Sequence, residues 1–144
     1  ANAGEQEVGE LVVTTLSNDY MPLLRYRIGD LAERQERSSG TDYVIHGRTR
    51  DALRSGDGRR VTTWQVDQCF AGIGGIAHCQ LRQSQSGGCW LRYVPEMEGL
   101  DAIRLQAVIS RLESLLECPI TTECVPTLLP EASGKFRLTC QVAA

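Results

Sequence analysis

The sequence predicts an α+β protein: a short all-β segment, then a small α+β domain with a three-stranded sheet, a hairpin and two helices. Three observations predict it. The first 46 residues hold short extended runs parted by turn residues, with no helical stripe among them. The texture changes near Gly47, where a glycine turn and a capping box follow one another. A second helical stripe then lies between strand-like segments in the last third of the chain. Helices gathered on one face of a small sheet make an α+β layer.

In chain order, residues 10–16 read as a strand, with β-branched residues between polar flanks. Residues 17–22 are a turn. Residues 23–28 and 31–36 continue extended, with Gly29-Asp30 breaking them. Residues 37–40 turn the chain, and residues 42–47 form another short strand. This meander is too small to bury a core alone. Residues 53–61 read as two arms around Gly56-Asp57-Gly58, the chemistry of a hairpin.

Thr62 and Gln65 match a capping box, with Val66, Cys69, Phe70 and Ile73 on one helical face and Gly72, Gly74 and Gly75 as the stop. Residues 76–83 alternate, with Ala77, Cys79 and Leu81 on one side and His78, Gln80 and Arg82 on the other. Ser86-Gly87-Gly88 turns into a strand over 89–94. A long helix over 100–117 carries Leu105, Val108, Leu112 and Leu115 on one stripe, and Pro119 ends it. Strands over 120–125 and 136–142, with a loop around Pro130 between them, complete the chain.

Composition narrows the function classes. The chain has 144 residues, 42% of them apolar and 23% charged, which is ordinary for a globular domain. A net charge of −3 gives no reason to expect nucleic acid or an anionic membrane as partner. No apolar run approaches the ~20 residues of a membrane span, and no leader-like opening is present, so the expected location is cytoplasmic. Six cysteines form no C-x-x-C pair and have no histidine at zinc-finger spacing. They read as small buried hydrophobes, and no metal site is expected. His46 and His78 lack a placeable nucleophile and read as structural. Gly72-x-Gly74-Gly75 ends a helix where a phosphate loop would open one.

Three motifs carry chemistry: RYRIGD at 25–30, HGRTRD at 46–51 and LPEASGKFR at 129–137. An aspartate at a Gly-Asp break, Asp30, suits a vicinal diol, because one carboxylate can accept two hydrogen bonds. Gly47 frees the backbone beside Arg48. Arg48, Arg50, Arg54, Arg59 and Arg60 are either a solvated basic face or phosphate ligands, a task suited to a planar fork. Lys135 sits in a pliant Ser133-Gly134 turn and offers a compact charge on a long stem.

In this order and spacing, the three motifs resemble the C-terminal end of an adenylate-forming enzyme of the acyl/aryl-CoA synthetase superfamily. The wording GELVVTT at 9–15 followed by MPLLRYRIGD at 21–30 is most similar to the phenylacetate–CoA ligase branch. The resemblance covers residues 9–140 and implies several hundred further residues upstream. It implies that residues 1–46 are the β-strand tail of a large nucleotide-binding domain, 47–52 a hinge and 53–144 a mobile C-terminal domain.

By the same resemblance Asp30 holds the ribose hydroxyls of ATP or the acyl-adenylate, Arg48 contacts nucleotide beside the hinge, and Lys135 is the catalytic lysine of adenylation. Ile28 stands where the family has threonine. At the hinge position, where the family places aspartate or lysine, this chain offers Arg50 or, with a slip of one, Asp51. The implied reaction joins a carboxylic acid to AMP using ATP and Mg²⁺, then passes the acyl group to CoA. Mg²⁺ would be bound mainly by the upstream part, and the fragment alone would be inactive. Two alternatives remain at this stage: a pantetheine arm on a carrier protein as acceptor, or a non-catalytic copy kept for protein contact. Left alone, the strands of residues 10–46 are expected to be disordered or to pair with a second copy of the chain.

Overall fold

A computed structural model describes residues 7–97, 99–130 and 134–142. The chain divides into two compact units, Ala1–Arg50 and Asp51–Ala144.

The first unit is a three-stranded antiparallel sheet in the order β1 (Val8–Val13), β2 (Tyr26–Arg37) and β3 (Gly40–Arg48). Beyond the end of β1 the pairing continues through Thr15, whose N–H donates to the Leu23 carbonyl at 2.9 Å and whose hydroxyl accepts from Leu23 N–H at 2.8 Å. Gly29-Asp30 does not break the extended run as the sequence suggested. It forms a bulge inside β2: between the pairs Val12↔Arg27 and Glu10↔Leu31, β1 advances two residues while β2 takes four. Gly29 supplies the positive φ, 81°, that this excursion needs. Across the other ladder β3 holds one extra residue, His46, between Leu31↔Gly47 and Ala32↔Ile45. The buried groups of this unit, Leu31, Ala32, Glu33 and His46, gather at these two bulges.

The second unit is α+β. A short hairpin, β4 (Leu53–Arg54) with β5 (Arg60–Val61), precedes helix α1 (Thr63–Gln68). Thr62 and Gln65 close the expected capping box on α1. The helix is shorter than its apolar stripe, because successive tight turns, Phe70 N–H to Asp67 and Ile73 N–H to Phe70, carry the chain on to Gly75. The main sheet has the order β8-β7-β6-β9, formed by β6 (Ile76–Ser84), β7 (Cys89–Pro95), β8 (Ile120–Cys124) and β9 (Thr139–Val142). It thus has four strands among the described residues, one more than the three expected. The terminal segment adds as β9, in parallel register with β6, from Leu81↔Thr139 to Ser84↔Val142. That strand begins at Thr139, not at residue 136.

Helix α2 (Ala102–Leu116) is capped by the Asp101 carboxylate on Arg104 N–H, and it crosses from β7 to the parallel strand β8. It ends at Leu116 because Glu117 turns left-handed, φ 54°, two residues before the proline read as the stop. Its buried stripe is Val108, Leu112 and Leu116, with Leu115 only partly covered. The core joins these to Leu53, Val61, Val66, Leu81, Cys89 and Leu91. Ala77 is exposed, contrary to the alternation, since β6 holds an extra residue between Ile76↔Pro95 and His78↔Val94. Gln83 is buried on the core side for a specific reason: its amide accepts from Arg54 N–H at 2.9 Å and donates to Arg54 C=O at 2.7 Å, serving as a strand partner for the hairpin.

Candidate functional site

The two bulges of the first unit converge on Asp30 and Arg48, which are direct partners across the β2–β3 ladder. Arg48 Nε lies 2.9 Å from Asp30 Oδ1, and Arg48 Nη1 donates to the Ile28 carbonyl at 3.0 Å. The Asp30 side chain keeps 22% of its surface exposed and Arg48 keeps 52%, so both remain within reach of a ligand. A Cβ on Gly29 would meet nothing closer than Arg48 Nη1 at 3.9 Å, so the turn, not crowding, is what calls for glycine there.

Beneath the pair, His46 Nε2 lies 3.1 Å from Glu33 Oε2, with both side chains buried. Gln35 Nε2 donates to the other Glu33 oxygen at 2.8 Å. A buried carboxylate needs such partners, and the imidazole sits at the one residue that β3 has in excess. The reading of His46 as structural fits this placement. Glu33 left no mark in the sequence apart from its charge.

Lys135 belongs to the second unit and is exposed. Ser133 lies outside the described residues. The chain after Lys135 is held from two sides. Arg137 C=O accepts from Gln80 Nε2 at 3.1 Å, and Leu138 C=O accepts from Leu81 N–H at 2.8 Å. On the other side, Arg137 Nη1 lies 3.2 Å from Asp51 Oδ1, and Thr139 Oγ1 donates to the Asp51 carbonyl at 2.7 Å. Phe136 is placed against His78, with ring centroids 6.3 Å apart. Near the root of this segment a concavity of about 440 Å³ is lined by Arg82, Arg92, Leu129, Pro130 and Cys140. Of the two hinge candidates, Arg50 is the last residue of the first unit and is exposed, while Asp51 is the first residue of the second.

Three of the five arginines considered together have partners within their own unit. Arg48 holds Asp30, Arg59 holds Asp57 and Glu117, and Arg54 Nη1 donates to the Gly58 carbonyl at 3.2 Å. Among the cysteines, Cys69, Cys89 and Cys140 are buried, as small hydrophobes should be. Cys124, in contrast, is exposed.

No protein-family model and no curated protein matches the chain. Solved structures do. A 2-hydroxyisobutyryl-CoA ligase in the postadenylation state, in complex with 2-HIB-AMP, superposes with a TM-score of 0.69 at 18% identity, over 96% of this chain and 32% of that one. The O-succinylbenzoate coenzyme A synthetase of Bacillus subtilis, in complex with AMP, gives a TM-score of 0.56 at 16% identity, over 78% and 23%. The anthranilate CoA ligase AuaEII with anthranoyl-AMP gives 0.53 at 18% identity, over 76% and 21%. The shared feature is the fold of acyl- and aryl-CoA ligases. The chain spans about a third of the length of the first of them.

Proposed function

We propose that this chain is the C-terminal part of an ATP-dependent carboxylate–CoA ligase of the phenylacetate–CoA ligase branch. The observation that carries the reading is the Asp30–Arg48 pair, set by two bulges on a fold shared with CoA ligases over 96% of the chain. Residues 1–46 are then the tail of the large domain, 47–52 the hinge and 53–144 the mobile domain.

The chemistry follows from charge. A substrate carboxylate attacks the α-phosphate of ATP and pyrophosphate leaves, and both partners are anionic. The Lys135 ammonium offsets their repulsion and stabilises the charge that develops on the phosphoryl oxygens. Asp30 accepts hydrogen bonds from the ribose hydroxyls, and Arg48 contacts the nucleotide beside it. After adenylation the mobile domain turns, Lys135 withdraws, and the CoA thiol attacks the acyl carbon with AMP as the leaving group. Mg²⁺ would accompany ATP and supply further charge on its phosphates. That ion would be held mainly by the upstream part.

The acyl pocket belongs to the upstream part, and the fragment alone does not turn over. Leu16, Tyr20 and Leu24 are exposed on the first unit. The upstream domain, or a second copy of the chain, is what covers them.

The test is direct. The full-length protein, given ATP, Mg²⁺ and a panel of aryl and aliphatic acids, should yield an acyl-adenylate by mass spectrometry. Adding CoA should convert it to the thioester with release of AMP. No adenylate with any acid would contradict the reading; an adenylate that passes only to a carrier-bound pantetheine would correct the acceptor.

A further inference from the structure

We infer that Asp51 is a positioning residue for Lys135, acting through Arg137, and that this clamp makes Arg50 the swivel of the linker. The inference rests on the ligase reading for its consequence, while the clamp itself rests on geometry.

Asp51 is tied to the second unit by both its side chain and its backbone. Its carboxylate, 14% exposed, meets the Arg137 guanidinium, 22% exposed, at 3.2 Å. Its carbonyl accepts from Thr139 Oγ1 at 2.7 Å. Thr139 is fully buried, and its hydroxyl also lies 2.8 Å from Thr63 Oγ1 at the start of α1. The next carbonyl, that of Ala52, accepts from Gln141 Nε2 at 3.1 Å. The segment around residues 137–141 is therefore laced to β6 on one side and to residues 51–52 on the other.

Lys135 lies two residues before Arg137, and two residues of extended chain span at most about 7 Å. Fixing Arg137 fixes the base of Lys135 within that radius, so the ammonium searches a small volume. A charge pair this sheltered is also costly to break singly, since the remaining partner stays largely covered. A residue held in this way cannot absorb a large backbone rotation without releasing Thr139. The torsions that turn the domain must then lie before it, at Arg50 and the residues preceding, where Gly47 already has φ 104°. The linker end and the lysine segment, 84 residues apart in sequence, so turn as one piece.

The test uses the full-length protein with Asp51→Asn, Arg137→Gln and the double variant. Asp51→Asn keeps size and shape, so it should fold. Each single change should lower kcat for carboxylate-dependent ATP–pyrophosphate exchange roughly tenfold, with KM for ATP within about twofold. The double variant should be no slower than the worse single, as expected of one shared contact. The loss in exchange should exceed any loss in transfer from added acyl-adenylate to CoA, a step that does not use Lys135. Independently of activity, backbone amides of residues 134–138 should exchange faster in Asp51→Asn. Multiplying defects, or unchanged amide exchange, would overturn the clamp. If the wild type adenylates no acid, the ligase reading fails, and the amide-exchange result still decides the clamp.

Discussion

Asp30 and Arg48 face one another across the β2–β3 ladder, with Arg48 Nε 2.9 Å from Asp30 Oδ1. The pairing engages one carboxylate oxygen and leaves the Asp30 side chain partly open. In the proposed ligase a ribose diol would engage the same carboxylate. Hydrogen bonds to a charged acceptor contribute about 1.5–3 kcal/mol each. Asp30→Ala should therefore raise KM for ATP in the exchange reaction about 10- to 100-fold. Arg48→Ala should act in the same direction, and the two should not add, because each removes the other's partner. An unaltered KM in Asp30→Ala would remove the ribose role.

Gly56 approaches the end of α2 closely. Its N–H donates to Leu116 C=O at 2.8 Å, and a Cβ placed on it would lie 2.8 Å from Glu117 O. Gly56→Ala should thus push the hairpin from the helix terminus and destabilise the second unit by about 1–3 kcal/mol. Urea unfolding followed by Trp fluorescence would measure this, and an unchanged midpoint would show that the contact yields freely.

Asp57 carries a pH dependence. The Ser55 hydroxyl, the Arg59 N–H and the Arg59 guanidinium all donate to its carboxylate and lower its pKa from 3.8 to about 2. A depressed carboxylate pKa stabilises the fold fully above the unfolded value and loses that effect as pH falls through the folded one. The stability difference between wild type and Asp57→Asn should hold above about pH 4 and shrink between about pH 4 and 2. A difference that stays constant through that window would contradict the assignment.

The thiols should separate by reactivity. Burial, and then the neighbouring Cys118, push Cys89 up to about 12; burial, and then Asp67, push Cys79 up to about 11. Only thiolates alkylate readily. Iodoacetamide at about pH 8 should modify exposed Cys124 first and leave Cys89 intact until the protein unfolds. Equal labelling of Cys89 and Cys124 in the native protein, read by peptide mass spectrometry, would contradict this core.

Elements with local causes were legible in the sequence. The capping box of Thr62 and Gln65, the Gly56-Asp57-Gly58 hairpin and the stripe through Val108 and Leu112 each follow from spacing within a few residues. What escaped was set by partners far along the chain. Gly29-Asp30 looks like a break, yet β1 pairs with β2 before and after it and β3 pairs from Asp30 onward, so the break becomes a bulge. Gln83 is a polar residue at the end of an alternating strand, and only the fold shows that it completes the hydrogen bonds of Arg54 from 29 residues away. Glu33, buried beside His46, is an ordinary polar residue until the ladder places its partner, and Asp51, read from the sequence as a hinge candidate, gave no sign of its partner Arg137. The motifs could mark Asp30, Arg48 and Lys135, while their supports depend on tertiary register that a periodicity does not encode.

The most direct test of the account is carboxylate-dependent ATP–pyrophosphate exchange by the full-length protein, wild type against Lys135→Ala, each with an acid that the wild type adenylates. Lys135→Ala should lose at least about 100-fold in kcat, the scale on which removing one electrostatic stabiliser acts, with KM for ATP little changed. Exchange in Lys135→Ala within about twofold of wild type would contradict the mechanism at its centre.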